Sequence, residues 1–315
     1  MKKWMVLLVV LAAASLFVGV HDLSPRELFA GDREAWEVFL ISRLPRLISI
    51  LIAGSSVSIC GLIMQQLSQN RFVSPTTAGT MDWARLGLLV SMIAFAAAGP
   101  LVKAAIAVVF AFVGTLLFMT VLDRVKYKDS IFIPLIGLMF GNIVGSVATF
   151  LAYKYDLIQS MSAWMHGDFS VMMQGRYEML YVSVPLMAIA YVYANRFTIA
   201  GMGEEMATNL GVRYRSIVYT GLLIVAVVSA VEVLTVGTLP FLGLIVPNIV
   251  TMYYGDHLRK VLPLTAIFGA LFVLICDVFG RVAIYPYEIP IGLTVGVIGS
   301  GVFLYLLVRR TKQYV

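Results

Sequence analysis

Charge is scarce in this chain. Asp, Glu, Lys and Arg make up 13% of its residues, against roughly 25% in an ordinary water-soluble domain. A soluble fold would also have to hide all of its long apolar runs at once. Cysteine is scarcer still. Cys60 and Cys276 are the two present. Each lies within an apolar run and reads as a buried thiol, not half of a disulfide. The three histidines, His21, His166 and His257, stand far apart in no ligand-like spacing. No His-Glu-x-x-His, Gly-x-Ser-x-Gly or Gly-x-x-x-x-Gly-Lys-Ser/Thr occurs, so no metal site, hydrolase elbow or ATP loop is visible. Nothing marks the chain as an enzyme or as the holder of a cofactor.

What is abundant is apolar sequence. Hydrophobic residues are 60% of the total, gathered in stretches long enough to cross a hydrocarbon core of ~30 Å. Ten such stretches follow one another, at about 4–20, 47–66 (after Arg43-Leu44-Pro45-Arg46), 78–98, 101–121, 131–153, 180–197, 216–236, 241–254, 261–281 and 291–308. The expected fold is therefore all-α: a polytopic membrane protein with about ten transmembrane helices in a single domain over residues 1–315. Lys2-Lys3 ahead of the first stretch resembles a signal peptide, but no small-x-small cleavage site follows, so an uncleaved first span is expected. Gly99-Pro100 and Gly237-Thr238-Leu239-Pro240 read as breaks. Residues 154–178, with Trp164-Met165-His166-Gly167, read as an external loop carrying a short interfacial helix.

Ten spans put both ends on one side. With that side cytoplasmic, the inside loops hold Lys2, Lys3, Arg71, Arg124, Lys126, Lys128, Arg196, Arg213, Arg215, Arg259, Lys260, Arg309, Arg310 and Lys312. The outside holds Arg26, Arg33, Arg43, Arg46, Lys103, Lys154, Arg176 and Arg281. The excess supports both termini cytoplasmic. It also gives the net charge of +6 a topological meaning, with no nucleic-acid partner implied. Residues 201–215 form a polar island between two apolar stretches, expected as a short amphipathic helix at the inner face. Glu204 and Glu205 suit its N-terminus, Gly211 suits its stop, and Arg213 and Arg215 lie beyond. Gly137, Gly141 and Gly145 recur every four residues, as do Gly292 and Gly296, a spacing that suits close helix packing. Asp82, Arg85 and Glu232 are charges at or near membrane depth and so are functional candidates. Asp82 and Arg85 are placed to neutralise each other, and Glu232 is expected near the outer end of its span.

Several motifs resemble one family. They are Arg43-Leu44-Pro45-Arg46 followed by Gly54, Gly61, Met64-Gln65 and Asn70; Ala207-Thr208-Asn209-Leu210-Gly211-Val212; Gly237 to Val250; Gly255-Asp256-His257 with Leu262-Pro263; and Glu288-Ile289-Pro290-Ile291-Gly292 with Phe303. In this order they resemble the permease subunits of ABC importers for iron–siderophores, haem and vitamin B12. Departures at Asn70-Arg71-Phe72-Val73, Ala78 to Ala84, Asn248 and Ser300-Gly301-Val302 look like the catechol-type siderophore branch, which includes petrobactin importers.

The resemblance implies a bacterial plasma-membrane subunit that imports ferric siderophore by alternating access. ATP and Mg are held by separate ATP-binding subunits. A second permease, paralogue or self, and an extracellular or periplasmic substrate-binding protein are the other partners. It makes 201–215 the coupling helix, with Ala207, Leu210 and Gly211 matching the motif and Glu204, Glu205 and Arg213 around them. It makes Arg43, Arg46 and Arg281 docking residues for glutamates of the binding protein, although lipid snorkelling, or pairing of Arg281 with Asp277, would also account for them. It places the glycine-bearing fifth and tenth spans along the pathway. Haem or corrinoid import, and an ion-coupled secondary transporter, are the alternatives.

Overall fold

The computed structural model of the chain describes residues 1–19, 24–124 and 132–311. His21, Lys126, Lys128, Asp129 and Lys312 lie outside them. The described residues are helical, with one isolated bridge between Ile284 and Tyr287. In chain order the helices are α1 Lys2–Leu16, α2 Pro25–Ala30, α3 Arg33–Val38, α4 Leu44–Leu67, α5 Thr80–Ala94, α6 Pro100–Arg124 and α7 Phe132–Lys154. Then come α8 Ile158–Met165, α9 Ser183–Ala200, α10 Glu204–Asn209, α11 Tyr214–Thr235, α12 Leu242–Tyr254, α13 Leu258–Val282 and α14 Ile291–Thr311. Each of the ten apolar runs carries a helix, and α8 is the short helix expected before residue 166. Among the described residues six helical stretches are long and apolar enough to cross a membrane: Arg33–Leu67, Pro100–Arg124, Phe132–Lys154, Glu178–Ala200, Tyr214–Thr235 and Leu258–Val282. α1 and α5 have 15 residues each, fewer than the ~20 that cross upright.

The second apolar run begins earlier than the sequence suggests. Arg43-Leu44-Pro45-Arg46 does not precede a helix; it lies inside one that starts at Arg33. Proline cannot donate to the carbonyl four residues back and clashes with it. The chain absorbs this by widening into a π-turn at Phe39–Arg43. The carbonyl of Ile41, which Pro45 leaves without its helical donor, accepts instead from the Gln174 backbone N–H at 3.2 Å.

α4 is the central helix. Ile50, Ala53, Leu62, Ile63 and Met64 have no exposed surface, and α13, α12, α11 and α9 pack around it. Glycine permits the closest approaches. A Cβ at Gly61 would lie 1.8 Å from the carbonyl oxygen of Gly243, and one at Gly269 would lie 2.2 Å from that of Gly54. Gly243 stands four residues before Pro247, inside α12, so its carbonyl also lacks a helical donor. Cys60 and Cys276 are buried free thiols.

Gly61→Val should therefore lower stability by about 1–3 kcal/mol through overpacking. Gly301→Ala, where a Cβ meets nothing within 4 Å, should be neutral or gain up to about 1 kcal/mol of helix propensity. Thermal denaturation of the detergent-purified chain separates the two. A Gly61→Val protein as stable as wild type would contradict the packing.

Candidate functional site

Helix α4 sets the scale. Its 24 residues at ~1.5 Å each reach from Arg43 and Arg46 at one end to Gln65 and Gln66 at the other. The 201–215 segment sits at the second end. There a Cβ on Gly201 would lie 2.3 Å from Oε1 of Gln66, and the Leu258 N–H that opens α13 donates to Thr198 Oγ1 at 3.2 Å.

The segment folds much as its residues dictate. Gly203 at φ 103° and Gly211 at φ 74° bracket α10 with backbone conformations that favour glycine. Glu204 and Glu205 occupy the first turn, where the helix dipole favours acid. Gly211 N–H donates to the Thr208 carbonyl at 2.9 Å and Val212 N–H to that of Ala207 at 3.0 Å, closing the helix as a Schellman-type stop. Ala207 is fully buried against the neighbouring helices, whereas Leu210 is 56% exposed and Met206 50%. Met202, four residues before Met206, is 58% exposed. Arg213 caps α11, and Arg215 stands 3.9 Å from Glu204. Met202 and Met206 escaped the sequence reading. The signal was an apolar side chain every fourth residue through an otherwise polar island.

The arginines gather at the other end. Arg46 donates to Asp277 Oδ1 through Nη2 at 2.8 Å and Nε at 3.2 Å, and to Glu288 through Nη1 at 2.7 Å. Arg281 pairs with Asp277 at 2.6 Å and donates to the carbonyls of Ser15 at 2.9 Å and Val18 at 2.5 Å. Arg43 donates to the Val18 carbonyl at 2.7 Å. Arg43, Asp277 and Arg281 are buried. Arg43 and Arg281 thus close the C-terminal end of α1, where free carbonyls and the helix dipole attract them. The pairing of Arg281 with Asp277 was visible in their i, i+4 spacing; the share that Arg46 and Glu288 take in it was not. A cleft of about 410 Å³ opens beside Arg43, Arg46, Ser42, Glu37, Ser170 and Glu288.

The glycines divide. A Cβ on Gly137 would lie 2.1 Å from the Thr77 carbonyl oxygen, on Gly141 2.6 Å from Asp82 Oδ2, and on Gly292 2.8 Å from the Gly167 nitrogen. These three are packing positions. Gly296 meets Pro240 Cγ at an ordinary 3.4 Å, and Gly145 meets nothing within 4 Å. Among the intramembrane charges, Asp82 and Arg85 pair at 3.0 Å. Arg85 also donates to Thr238 Oγ1, which in turn donates to the Trp164 carbonyl at 3.2 Å. Glu232 is not at an accessible span end. It is 1% exposed, enclosed where α11 meets the break after Thr235, and its carboxylate oxygens make no side-chain hydrogen bond among the described residues.

The helical bundle agrees with comparison to known proteins. Residues 7–309 match the model of the FecCD transport family. The chain is 60% identical to the petrobactin import system permease protein YclN of Bacillus subtilis, with 98% of each chain covered. It is 41% identical to the ferric-anguibactin transport system permease protein FatD of Vibrio anguillarum, with 96% of each covered. A solved metal-chelate type ABC transporter in an inward-facing conformation superposes with a TM-score of 0.80 at 22% identity over 97% of both chains. That likeness is one of fold. The motifs from Arg43 to Phe303, the helical bundle and the match over nearly the whole length agree: the chain belongs to the FecCD transport family.

Proposed function

We propose that this chain is the permease subunit of an ABC importer that carries ferric siderophores across the bacterial inner membrane. Two permease subunits, two ATP-binding subunits and a substrate-binding protein make up the working assembly. The observation that carries the reading is the 201–215 segment. Met206 on α10, Leu210 at its C-cap and Met202 in the turn before it are all at least half exposed, about a short helix fixed at its base by Ala207 and at both ends by glycine. A row of apolar tips on a rigid mount suits a groove on another chain. Residues Glu204, Glu205 and Arg213 flank it with charge, which sets orientation more than affinity. Closure of the ATPase pair would move α10 and, through α9 and α11, tilt the bundle.

The reading includes ten crossings with both termini cytoplasmic. α1, α5, α12 and α14 then cross as short or tilted members of the bundle. The substrate class follows the relatives, whose names specify petrobactin and ferric anguibactin. At the outer face, Arg46 is the docking residue best placed for the binding protein. It borders the 410 Å³ cleft, and its partner Glu288 is 23% exposed. A carboxylate from the binding protein can take the place of Glu288, because the guanidinium fork accepts either. Arg43 and Arg281 lie deeper and act in docking by holding Arg46 in its frame. α7 and α14 line the path between the two permeases, with Gly145 and Gly296 leaving it room.

Three outcomes are expected. Leu210→Glu should abolish uptake of radio-iron siderophore in cells lacking the native chain, while the protein reaches the membrane at wild-type level. Undiminished uptake would sink the coupling role. Arg33→Cys should react with a membrane-impermeant maleimide on intact cells and Glu205→Cys after permeabilisation alone; the reverse pattern overturns the orientation. Asp277→Asn leaves Arg46 and Arg281 without their shared counter-charge, and should lower stability in detergent by about 3–5 kcal/mol. Glu288→Gln, at a part-exposed position, should cost well below that.

A further inference from the structure

A second cleft, of about 680 Å³, lies between α5, α7 and α8. Its walls carry Asp82 and Arg85 from α5, Gly145 and the polar residues Asn142, Ser146 and Thr149 from α7, and Met161 from α8. The depth of this cleft follows from the packing. A Cβ on Gly79, the residue that opens α5, would lie 3.2 Å from Gly141, and Gly141 is near the middle of the 23 residues of α7. Asp82 and Arg85, within the first two turns of α5, are therefore close to mid-membrane.

A charge at that depth is costly against acyl chains, whereas the Ser146 and Thr149 hydroxyls donate to the Asn142 and Gly145 carbonyls of their own helix at 2.8 Å. Asn142, Ser146 and Thr149 are exposed and stand at i, i+4 and i+7, one stripe on one face of α7. A charge pair and a polar stripe together at that depth mark a surface that meets water or a polar ligand. Gly145 interrupts the stripe without any packing reason, since a Cβ there meets nothing. Its effect is to widen the cleft.

Arg85 has donors to spare. Nη1 serves Asp82 and Nη2 serves Thr238, while Nε makes no hydrogen bond among the described residues. Asp82 lies in the first turn of α5, where the helix N-terminus offsets part of its charge. Asp82 can therefore yield Nη1 at modest cost.

We propose that this cleft is a mid-membrane substrate subsite. Arg85 there takes anionic oxygens of the ferric chelate from its counter-ion Asp82, and Asn142 supplies an amide beside it. The ligand class is a chelate bearing carboxylate or catecholate oxygen, for which a guanidinium is the matching donor. The inference rests on the importer reading above and adds where within the path the cargo is held.

The test uses the complete importer, reconstituted in proteoliposomes with its binding protein, and ferric petrobactin and ferric anguibactin as probes. Two rates are read, radio-iron delivered and ATP hydrolysed. Arg85→Gln and Gly145→Leu should each lower iron delivered per ATP by about tenfold, the loss of roughly one charge-assisted contact. Arg85→Lys should recover part of it. Gly301→Ala, outside the cleft, should match wild type in both rates. A wild-type ratio in Gly145→Leu overturns the subsite, because that substitution enters the cleft from a position where a Cβ meets nothing within 4 Å. Transport and hydrolysis falling together at constant ratio makes these assembly residues and also overturns it. A wild type that imports neither probe overturns the ferric-siderophore reading and takes the subsite with it. Variants that match a competent wild type overturn the subsite alone.

Discussion

A backbone amide or carbonyl with no partner costs several kcal/mol in hydrocarbon, and the architecture follows from that constraint. It makes the apolar runs helices and decides how they are interrupted. Pro45 removes a donor from within the longest helical stretch, and a π-turn passes the freed Ile41 carbonyl to Gln174. Between α4 and α5 the chain leaves helix at 68–79, where side chains replace the missing ladder. Asn70 Oδ1 accepts from Phe72 N–H at 2.8 Å, and Thr77 Oγ1 accepts from Ser74 N–H at 2.8 Å. Between α11 and α12 the break at Gly237 is held against the 166–167 turn, where Asp168 N–H donates to the Val236 carbonyl at 2.9 Å. The breaks at 68–79 and at Gly237 are largely enclosed by protein, which is where irregular backbone at membrane depth is tolerated; the π-turn leaves Leu40 and Ile41 exposed.

Buried charge obeys the same rule at higher stakes. Arg46, Arg281, Asp277 and Glu288 form one group in which each cation has at least two oxygen partners. Such a group contributes little net stability relative to apolar packing, but removing one member leaves an uncompensated charge. Its value here is positional. It ties α1, α4, α13 and the turn before α14 to a single point, and it leaves Arg46 as the member nearest the outer cleft. The Asp82–Arg85 pair is smaller but alike at its edge. Its side chains are 23% and 14% exposed, against 23% and 13% for Glu288 and Arg46, and each pair borders a cleft.

How much of this was legible in the sequence follows from range. The ten apolar runs and the glycine-ended α10 are local features, set by hydropathy and backbone conformation within a few residues. The family resemblance was legible because its motifs are contiguous. The start of the second helix was misplaced because Arg33 to Ile41 is too polar to read as a span, although propensity and the Asp32 cap suffice to make it helical. The surroundings of Glu232 and the partners of Arg46 depend on contacts across long sequence separations; Arg46 and Glu288 are 242 residues apart. Periodicity could not sort the glycines either. Gly141 and Gly145 share a face and a spacing, yet one packs against Asp82 and the other borders a cleft. That difference lies entirely in what the opposite helix brings to each position.

The two ends of the molecule are joined by paired helices rather than by loops. α4 and α13 pack through Gly54, Ser58 and Gly269, with a Cβ on Gly269 meeting the Gly54 carbonyl and the Ser58 hydroxyl alike at 2.2 Å, so they cannot slide apart without opening a void. The arginine group fixes them to each other at one end. At the other, Gln66 bears on Gly201, which closes α9 ahead of α10, and α13 starts from a hydrogen bond to Thr198 of α9. On the importer reading, a displacement of α10 would be delivered through α9 to the ends of α4 and α13 together and carried across the membrane as tilt. α7 lies outside this pair, bound to α5 through Gly79 and Gly141 and exposed over most of its length. On the importer reading, α4 with α13 transmits the drive, while α5 with α7 forms the wall the cargo meets. The break at 68–79 joins the two units, and on that reading it is where one pair would move against the other.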